Sequence, residues 1–220
     1  MHHSRKVSRR FALLVAVALG ALMLVPASGL ARTKFGAKLR ANGNVVEPTE
    51  PAGGRSCKQS DPDLSNDPCT RVAVRFHETG AVQGHVKAPR KGKLRKLKIV
   101  ASGPGSFTPY LARVKDLDTG LDSGKARVKK KGHRIEYEGD NTAPYTIEKF
   151  PFRKRVKKGD YLAIKSDKTS LLQCETDDVL GSLDQLLFQP PLALGDSFEP
   201  NDGSDDCTLL TQAVYKKKSG

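Results

Sequence analysis

The run Phe150–Lys165, FPFRKRVKKGDYLAIK, constrains the fold of this chain more than any other stretch. Phe150 and Phe152 alternate with Pro151 and Arg153, and Leu162 and Ile164 alternate with Ala163 and Lys165. A period of two sends one set of side chains to a core and the other to water, which marks a half-buried strand. Gly159-Asp160, between the two runs, is turn chemistry. The stretch therefore predicts two antiparallel strands meeting at a tight turn. Phe150, Phe152, Leu162 and Ile164 go to the core, and the charges of Arg153–Lys158 stay outside.

The same pattern recurs along the chain. Val72, Val74 and Phe76 alternate with Arg71, Ala73 and Arg75. In Lys93–Ala101, Leu97, Ile99 and Ala101 share one face and Lys96 and Lys98 the other. Further short strands are expected at Gly84–Lys87, Phe107–Leu117, Arg127–Lys129, Arg134–Glu138, Gln185–Gln189 and Leu209–Tyr215. Turn signals separate them roughly every ten residues, which predicts an all-β, antiparallel β-sandwich of about eight or nine strands. Because the strands alternate, each sheet is expected to keep one solvated face. Val179–Leu187 is the one place with room for a short helix.

The N-terminus reads as an address. Met1–Arg10 carries Arg5, Lys6, Arg9 and Arg10 and no acid, Phe11–Val25 is apolar, and Ala27, Ser28, Gly29 and Ala31 are small. A basic region, a short apolar region and a small-residue exit describe a secretory signal peptide; a spanning helix needs about 20 apolar residues. The expected organisation is a signal peptide over 1–31, cut after Gly29 or Ala31, and a flexible linker or arm over 32–69. A sandwich domain follows over 70–216, then a basic tail over 217–220. No later apolar run is long enough to span a bilayer, so a secreted or cell-envelope protein is expected. The chain holds 38 basic and 24 acidic residues; without the four basic residues of 1–31 the balance is 34 to 24, a net charge of +10.

Cys57, Cys69, Cys174 and Cys207 all follow the signal. An even number in an exported chain favours disulfides, and four cysteines allow three connectivities. The favoured pairs are Cys57–Cys69 and Cys174–Cys207, because each brackets one polar, turn-rich segment. Zinc would need short Cys-x-x-Cys spacings, which do not occur.

The run Thr146–Lys165, followed by Leu183-Asp184-Gln185-Leu186-Leu187-Phe188-Gln189-Pro190-Pro191-Leu192, resembles a group of exported actinobacterial proteins with a single sandwich domain. In that group a "valine, basic, x, glycine-aspartate" turn precedes a strand and a "LLFQPPL" segment follows. Here those residues are Val156-Lys157-Lys158-Gly159-Asp160 and Leu186–Leu192, and the resemblance covers most of Thr70–Tyr215. It implies a jelly-roll-like sandwich and an exported location, and it assigns no catalytic residue.

No set of acid, base and nucleophile assembles in the sequence, so the expectation is a protein that is not an enzyme. Asp118-Thr119-Gly120 and Asp122-Ser123-Gly124 look like aspartic-protease triplets, but two triplets four residues apart cannot come from two lobes sharing a proton. His77 and His85 read as surface histidines rather than metal ligands, and no Gly-x-Ser-x-Gly elbow is present. The acidic stretch Asp196–Asp206 offers oxygen ligands for calcium through Asp196, Glu199, Asp202 and Asp205, against the simpler reading of a solvated loop closed by Cys207. Calcium is the only cofactor the sequence suggests.

The basic clusters are the largest signal. They comprise Lys91, Lys93, Arg95, Lys96 and Lys98; Lys129, Lys130 and Lys131; and Arg153, Lys154, Arg155, Lys157 and Lys158 with the tail from Lys216. Gathered on one side, they attract polyanions; spread along edge strands, they only block aggregation. Nucleic acid is disfavoured, because single-strand binding uses aromatic platforms and the chain has no Trp. The expected function is a secreted, non-catalytic extracellular or envelope binding module for an anionic polymer or carbohydrate. The alternative is a calcium-stabilised structural or adhesion module. The oligomeric state is not predicted.

Overall fold

The structure, a computed structural model, describes residues 32–37, 39, 68–75, 85–118, 121, 123–140, 145–167, 172, 174–176, 185–205 and 207–217. Among these residues every regular element is a strand, and every strand pair is antiparallel. The expected all-β sandwich is therefore observed. It has fifteen strands among the described residues, where the sequence suggested fewer.

The first sheet has the order β1 (Arg32–Gly36), β15 (Thr211–Lys217), β3 (Gly92–Val100), β7 (Ile147–Pro151), with β8 (Arg155–Val156) also on β3. The second has the order β12 (Glu199–Pro200), β5 (Ser123–Lys131), β4 (Gly105–Asp118), β9 (Tyr161–Ser166), β2 (Cys69–Ala73), β11 (Gln185–Phe188), β13 (Gly203–Asp205), with β6 (Ile135–Tyr137) on β4. A separate pair joins β10 (Cys174–Thr176) to β14 (Cys207–Leu209). Most neighbours are distant in sequence, so the sheets are closed by long crossovers rather than by successive hairpins.

One core joins the two sheets. Phe35 of β1, Leu94, Leu97 and Ile99 of β3, and Ala213 and Tyr215 of β15 meet Phe107 and Leu111 of β4 and Leu162 and Ile164 of β9. A second cluster lies on the opposite face of the second sheet, with Val72, Tyr110, Ala112, Val128, Ala163, Leu186 and Phe188 covered by Leu192. The second sheet is thus apolar on both faces, against the expectation of one solvated face per sheet. The signal was present in continuous apolar runs such as Tyr161–Ile164, which leave no polar side to face water. The outer side of the first sheet is covered at one end by a third cluster, in which Val100 and Leu210 meet Ala37 and Leu39, and carries exposed lysines at the other.

The opening run folds differently from its reading. β7 and β8 belong to the first sheet and β9 to the second, so the turn at Gly159-Asp160 carries the chain between sheets and does not close a hairpin. Gly159 has φ +80°, and its N–H donates to the Ala88 carbonyl at 2.8 Å. The Lys157 N–H donates to Asp160 Oδ2 at 2.6 Å, and Arg113 Nε on β4 reaches Asp160 Oδ1 at 2.9 Å. Asp160 is buried, so this carboxylate anchors the crossing from inside. Burial pushes its carboxyl pKa up, against the pull of the Lys157 N–H and of Arg113.

Two further readings change. The arm expected over 32–69 begins with a core strand. Phe35 on β1 is 1% exposed and meets Tyr215 edge-on at 6.0 Å, while the rest of the arm lies largely outside the described residues. One buried aromatic on a five-residue strand gave too little apolar content to register as ordered. The helix considered for Val179–Leu187 is contradicted at its end, since Gln185–Phe188 is strand β11, and 179–184 lie outside the described residues. Cys69 is fully buried and disulfide-bonded, with its partner outside the described side chains.

Candidate anion-binding face

Four strands of the first sheet, β1, β3, β7 and β15, present lysines outward because their alternate residues fill the core. On β15, Ala213 and Tyr215 are core, so Gln212, Val214 and Lys216 face the other way. On β3 a bulge shifts the register where Val214 and Tyr215 pair with Lys96 and Leu94, leaving Arg95 as the extra residue. The bulge lets Leu94 and Leu97, an odd number of residues apart, both point inward. Lys93, Lys96 and Lys98 consequently share the outer face, and Arg95 is exposed at the bulge.

Cross-strand register stacks these cations. Lys93 stands opposite Lys216 on β15 and opposite Arg155 on β8. Lys98 stands opposite Lys149 on β7. Lys34 on β1 faces outward across Val214 from Lys96. Partners in such positions are about 5 Å apart, and like charges there repel. Lys98 is partly buried, and burial, together with the charges of Lys34, Lys149 and Lys96, lowers its pKa. Among the described residues no acid lies within ion-pair distance of Lys34, Lys93, Lys96, Lys98, Lys149 or Lys216.

The predicted clusters divide. The first and third meet on this face through Lys93, Lys96, Lys98 and Arg155. Lys91 is exposed in the segment before β3, Arg153 and Lys154 bridge β7 and β8, and Lys157 and Lys158 sit in the crossing turn. Lys129, Lys130 and Lys131 lie on β5 of the second sheet. There Lys129 Nζ contacts Asp196 Oδ1 at 2.8 Å, and Arg127 stacks on the Phe198 ring at 4.5 Å while approaching the same carboxylate at 3.6 Å. Sequence reasoning missed Lys34 and Lys149. Both alternate with a core-directed phenylalanine, Phe35 and Phe150, and that signal could have found them.

The acidic loop does not gather ligands among the described residues. Asp196 is committed to Lys129 and Arg127, which hold its carboxyl below the usual range. Asp202 accepts from the Gln189 N–H at 2.6 Å, and Glu199 is exposed on β12. The Asp205 side chain lies outside the described set, and no group of three acids, histidines or cysteines is close enough to hold a metal among the described residues. Beside this loop is a cleft of about 360 Å³, walled by Arg127, Phe188, Leu192, Leu194 and Glu199.

Asp118 ends β4, and its Oδ1 accepts from the Leu121 N–H at 3.2 Å, while Thr119, Gly120 and Asp122 lie outside the described residues. His77 lies outside the described residues, and His85 and His133 are exposed.

Fold and face together define an antiparallel β-sandwich whose first sheet carries outward lysines that, among the described residues, have no acid within ion-pair distance. No family model, curated protein or solved structure matches the chain.

Proposed function

We propose that this protein is an exported, non-catalytic module that binds an anionic polymer through the outer face of its first sheet. The observation that carries the reading is the position of the lysines. Edge protection would place them on β1 and β7, with acids interleaved. Instead β3 and β15, which are interior strands, carry Lys93, Lys96, Lys98 and Lys216, stacked against like charges at a cost to stability. A fold has little reason to keep that repulsion unless an anion relieves it.

Export rests on the n-region, apolar run and small-residue exit of 1–31, and on the resemblance to exported actinobacterial sandwich proteins. The pairing Cys57–Cys69 and Cys174–Cys207 belongs to the same proposal. It draws support from the disulfide state of Cys69; on β10 and β14 Cys174 stands opposite Leu209, two positions from Cys207. The calcium-stabilised alternative is weaker, since Asp196 already has cationic partners.

The test is retention on immobilised heparin across a salt gradient. Retention should fall steeply with salt, and Lys93→Glu with Lys96→Glu should abolish it. Lys130→Glu with Lys131→Glu removes the same charge from the second sheet and should leave most retention in place. Salt-independent retention, or equal loss in both double variants, would overturn the proposal.

A further inference from the structure

The cleft of about 360 Å³ on the second sheet takes no part in the basic face. Its volume falls at the small end of ligand sites, which run from roughly 300 to 1,000 Å³. Its apolar lining comes from Phe188 and Leu192, buried members of the core cluster on that side, and from Leu194, which is 59% exposed. Backbone contacts hold Leu194 in place. It bridges to Val128, and the Gly195 N–H donates to the Val128 carbonyl at 3.2 Å. A large aliphatic side chain fixed in a cleft with its surface uncovered is contact area for a ligand.

The polar chemistry of the lining is one-sided. Pro190, Pro191 and Pro200 have no N–H to offer. The N–H groups of Leu192, Gly195 and Asp202 are spent on Thr70 Oγ1, the Val128 carbonyl and the Leu187 carbonyl. Arg127 is committed as well. Its Nη1 donates to the Asp196 carbonyl at 2.8 Å, its guanidinium lies on the Phe198 ring at 4.5 Å, and its Nε is shut off from solvent. Acceptors remain. Glu199 is exposed, and Asp202 uses only Oδ2, on the Gln189 N–H. Among the described residues neither carboxylate has a cation within ion-pair distance. Arg127 counted against Glu199 and Asp202 leaves the lining at a net charge of −1 (+1 − 2).

We propose that this cleft binds a small organic ammonium ion, with an apolar body against Leu192 and Leu194 and N–H groups donating to Glu199 and to Asp202 Oδ1. A primary ammonium carries three donors and no acceptor, the complement of a lining rich in acceptors and short of donors. Hydrogen bonds between ionised partners are roughly twice as strong as neutral ones, so charge discriminates here. A carboxylate or phosphate ligand meets two like charges and an arginine already engaged. A sugar finds no platform to stack on, since Phe188, the aromatic of the lining, is buried. A bare metal ion finds too few ligands among the described residues. The site is independent of the polyanion reading, being on the other sheet and of the opposite charge.

The experiment titrates the intact protein and follows its amide NMR signals, at about 0.15 M salt, where a Debye length of about 8 Å screens the distant lysines. Cyclohexylmethylamine, cyclohexylmethanol and cyclohexanecarboxylate share one shape and differ in charge, and methylammonium is the cation without the body. The amine should shift the amides of Leu194, Gly195 and Asp202 and bind about tenfold more tightly than the alcohol, with the carboxylate weaker still. Methylammonium should bind at least about tenfold more weakly than the amine. Glu199→Gln alters an exposed side chain on a short edge strand, so the fold is kept. It should cut the advantage of the amine over the alcohol by at least about threefold and leave the alcohol unchanged. Leu194→Ala should weaken amine and alcohol alike, by about three- to fivefold. Equal binding of amine and alcohol, tighter binding of the carboxylate, no saturable shift at the cleft amides, or an amine affinity unmoved by Glu199→Gln would each overturn the proposal. None of these outcomes bears on retention by heparin, which tests the other sheet.

Discussion

Lys98→Met should make the protein more stable and a worse binder. Lys98 is half-buried on β3, directly opposite Lys149, with Lys34 and Lys96 close enough to lower its pKa. Each close like-charge contact on a sheet face costs roughly 0.2–1 kcal/mol. With three such neighbours and solvent screening, removing the charge should raise unfolding free energy by about 1 kcal/mol at low salt. Methionine keeps the apolar stem and its packing, so little is lost in exchange. The gain should vanish near 1 M salt, where the Debye length of about 3 Å is shorter than the cross-strand spacing of about 5 Å. The pH dependence has a definite sign. Folding lowers the Lys98 pKa, so its cost is full while the lysine is protonated in both states and is relieved as pH rises through the folded value. The advantage of the variant should therefore shrink in the alkaline range. In binding, one lost cationic contact should reduce the slope of log affinity against log salt by about one. Urea unfolding at low and high salt, beside salt-dependent binding, gives both readouts. A variant that is destabilised at low salt, or stabilised equally at all salts, would refute the repulsion argument.

Other expectations concern the frame that holds the face. Phe35→Ala should cost about 3–5 kcal/mol, the range for a buried aromatic, and a loss below about 1 kcal/mol in urea unfolding would mean that β1 is dispensable. Asp160→Ala strands the Lys157 N–H and removes the partner of Arg113, and should cost about 2 kcal/mol; an unchanged denaturation midpoint would show that the crossing is held by its backbone contacts alone. Carboxyl resonances followed by NMR should titrate in opposite senses, Asp160 above the ordinary carboxylate value and Asp196 below it. The reverse order would contradict the burial of the first and the ion pairs of the second.

Much of the fold was legible because alternation is local. Leu97 and Ile99, and Leu162 and Ile164, announce inward faces without reference to anything distant, and each is in the core. What alternation cannot encode is the partner. The run Phe150–Lys165 contains parts of three strands and a real turn, yet β7 and β8 pair with β3 and β9 with β4 and β2. A Gly at positive φ permits a sharp change of direction, but whether the chain returns along the same sheet depends on which apolar faces await it. β1 was hidden for a related reason: its stability comes from Tyr215 and the sheet beside it, far along the chain.

The candidate face divides in the same way. By itself the sequence determined that strands alternate, that Lys96 and Lys98 point away from a core, and that the chain carries an excess of positive charge. Tertiary structure turned Lys93 to that side through the bulge at Arg95, and decided that Lys34, Lys149, Arg155 and Lys216, drawn from four different strands, stand on the same surface. It also decided that Lys129 is paired with Asp196 and plays no part there. Charge is a property of residues, but a field is a property of their distances, and antiparallel register over long loops is what sets those distances.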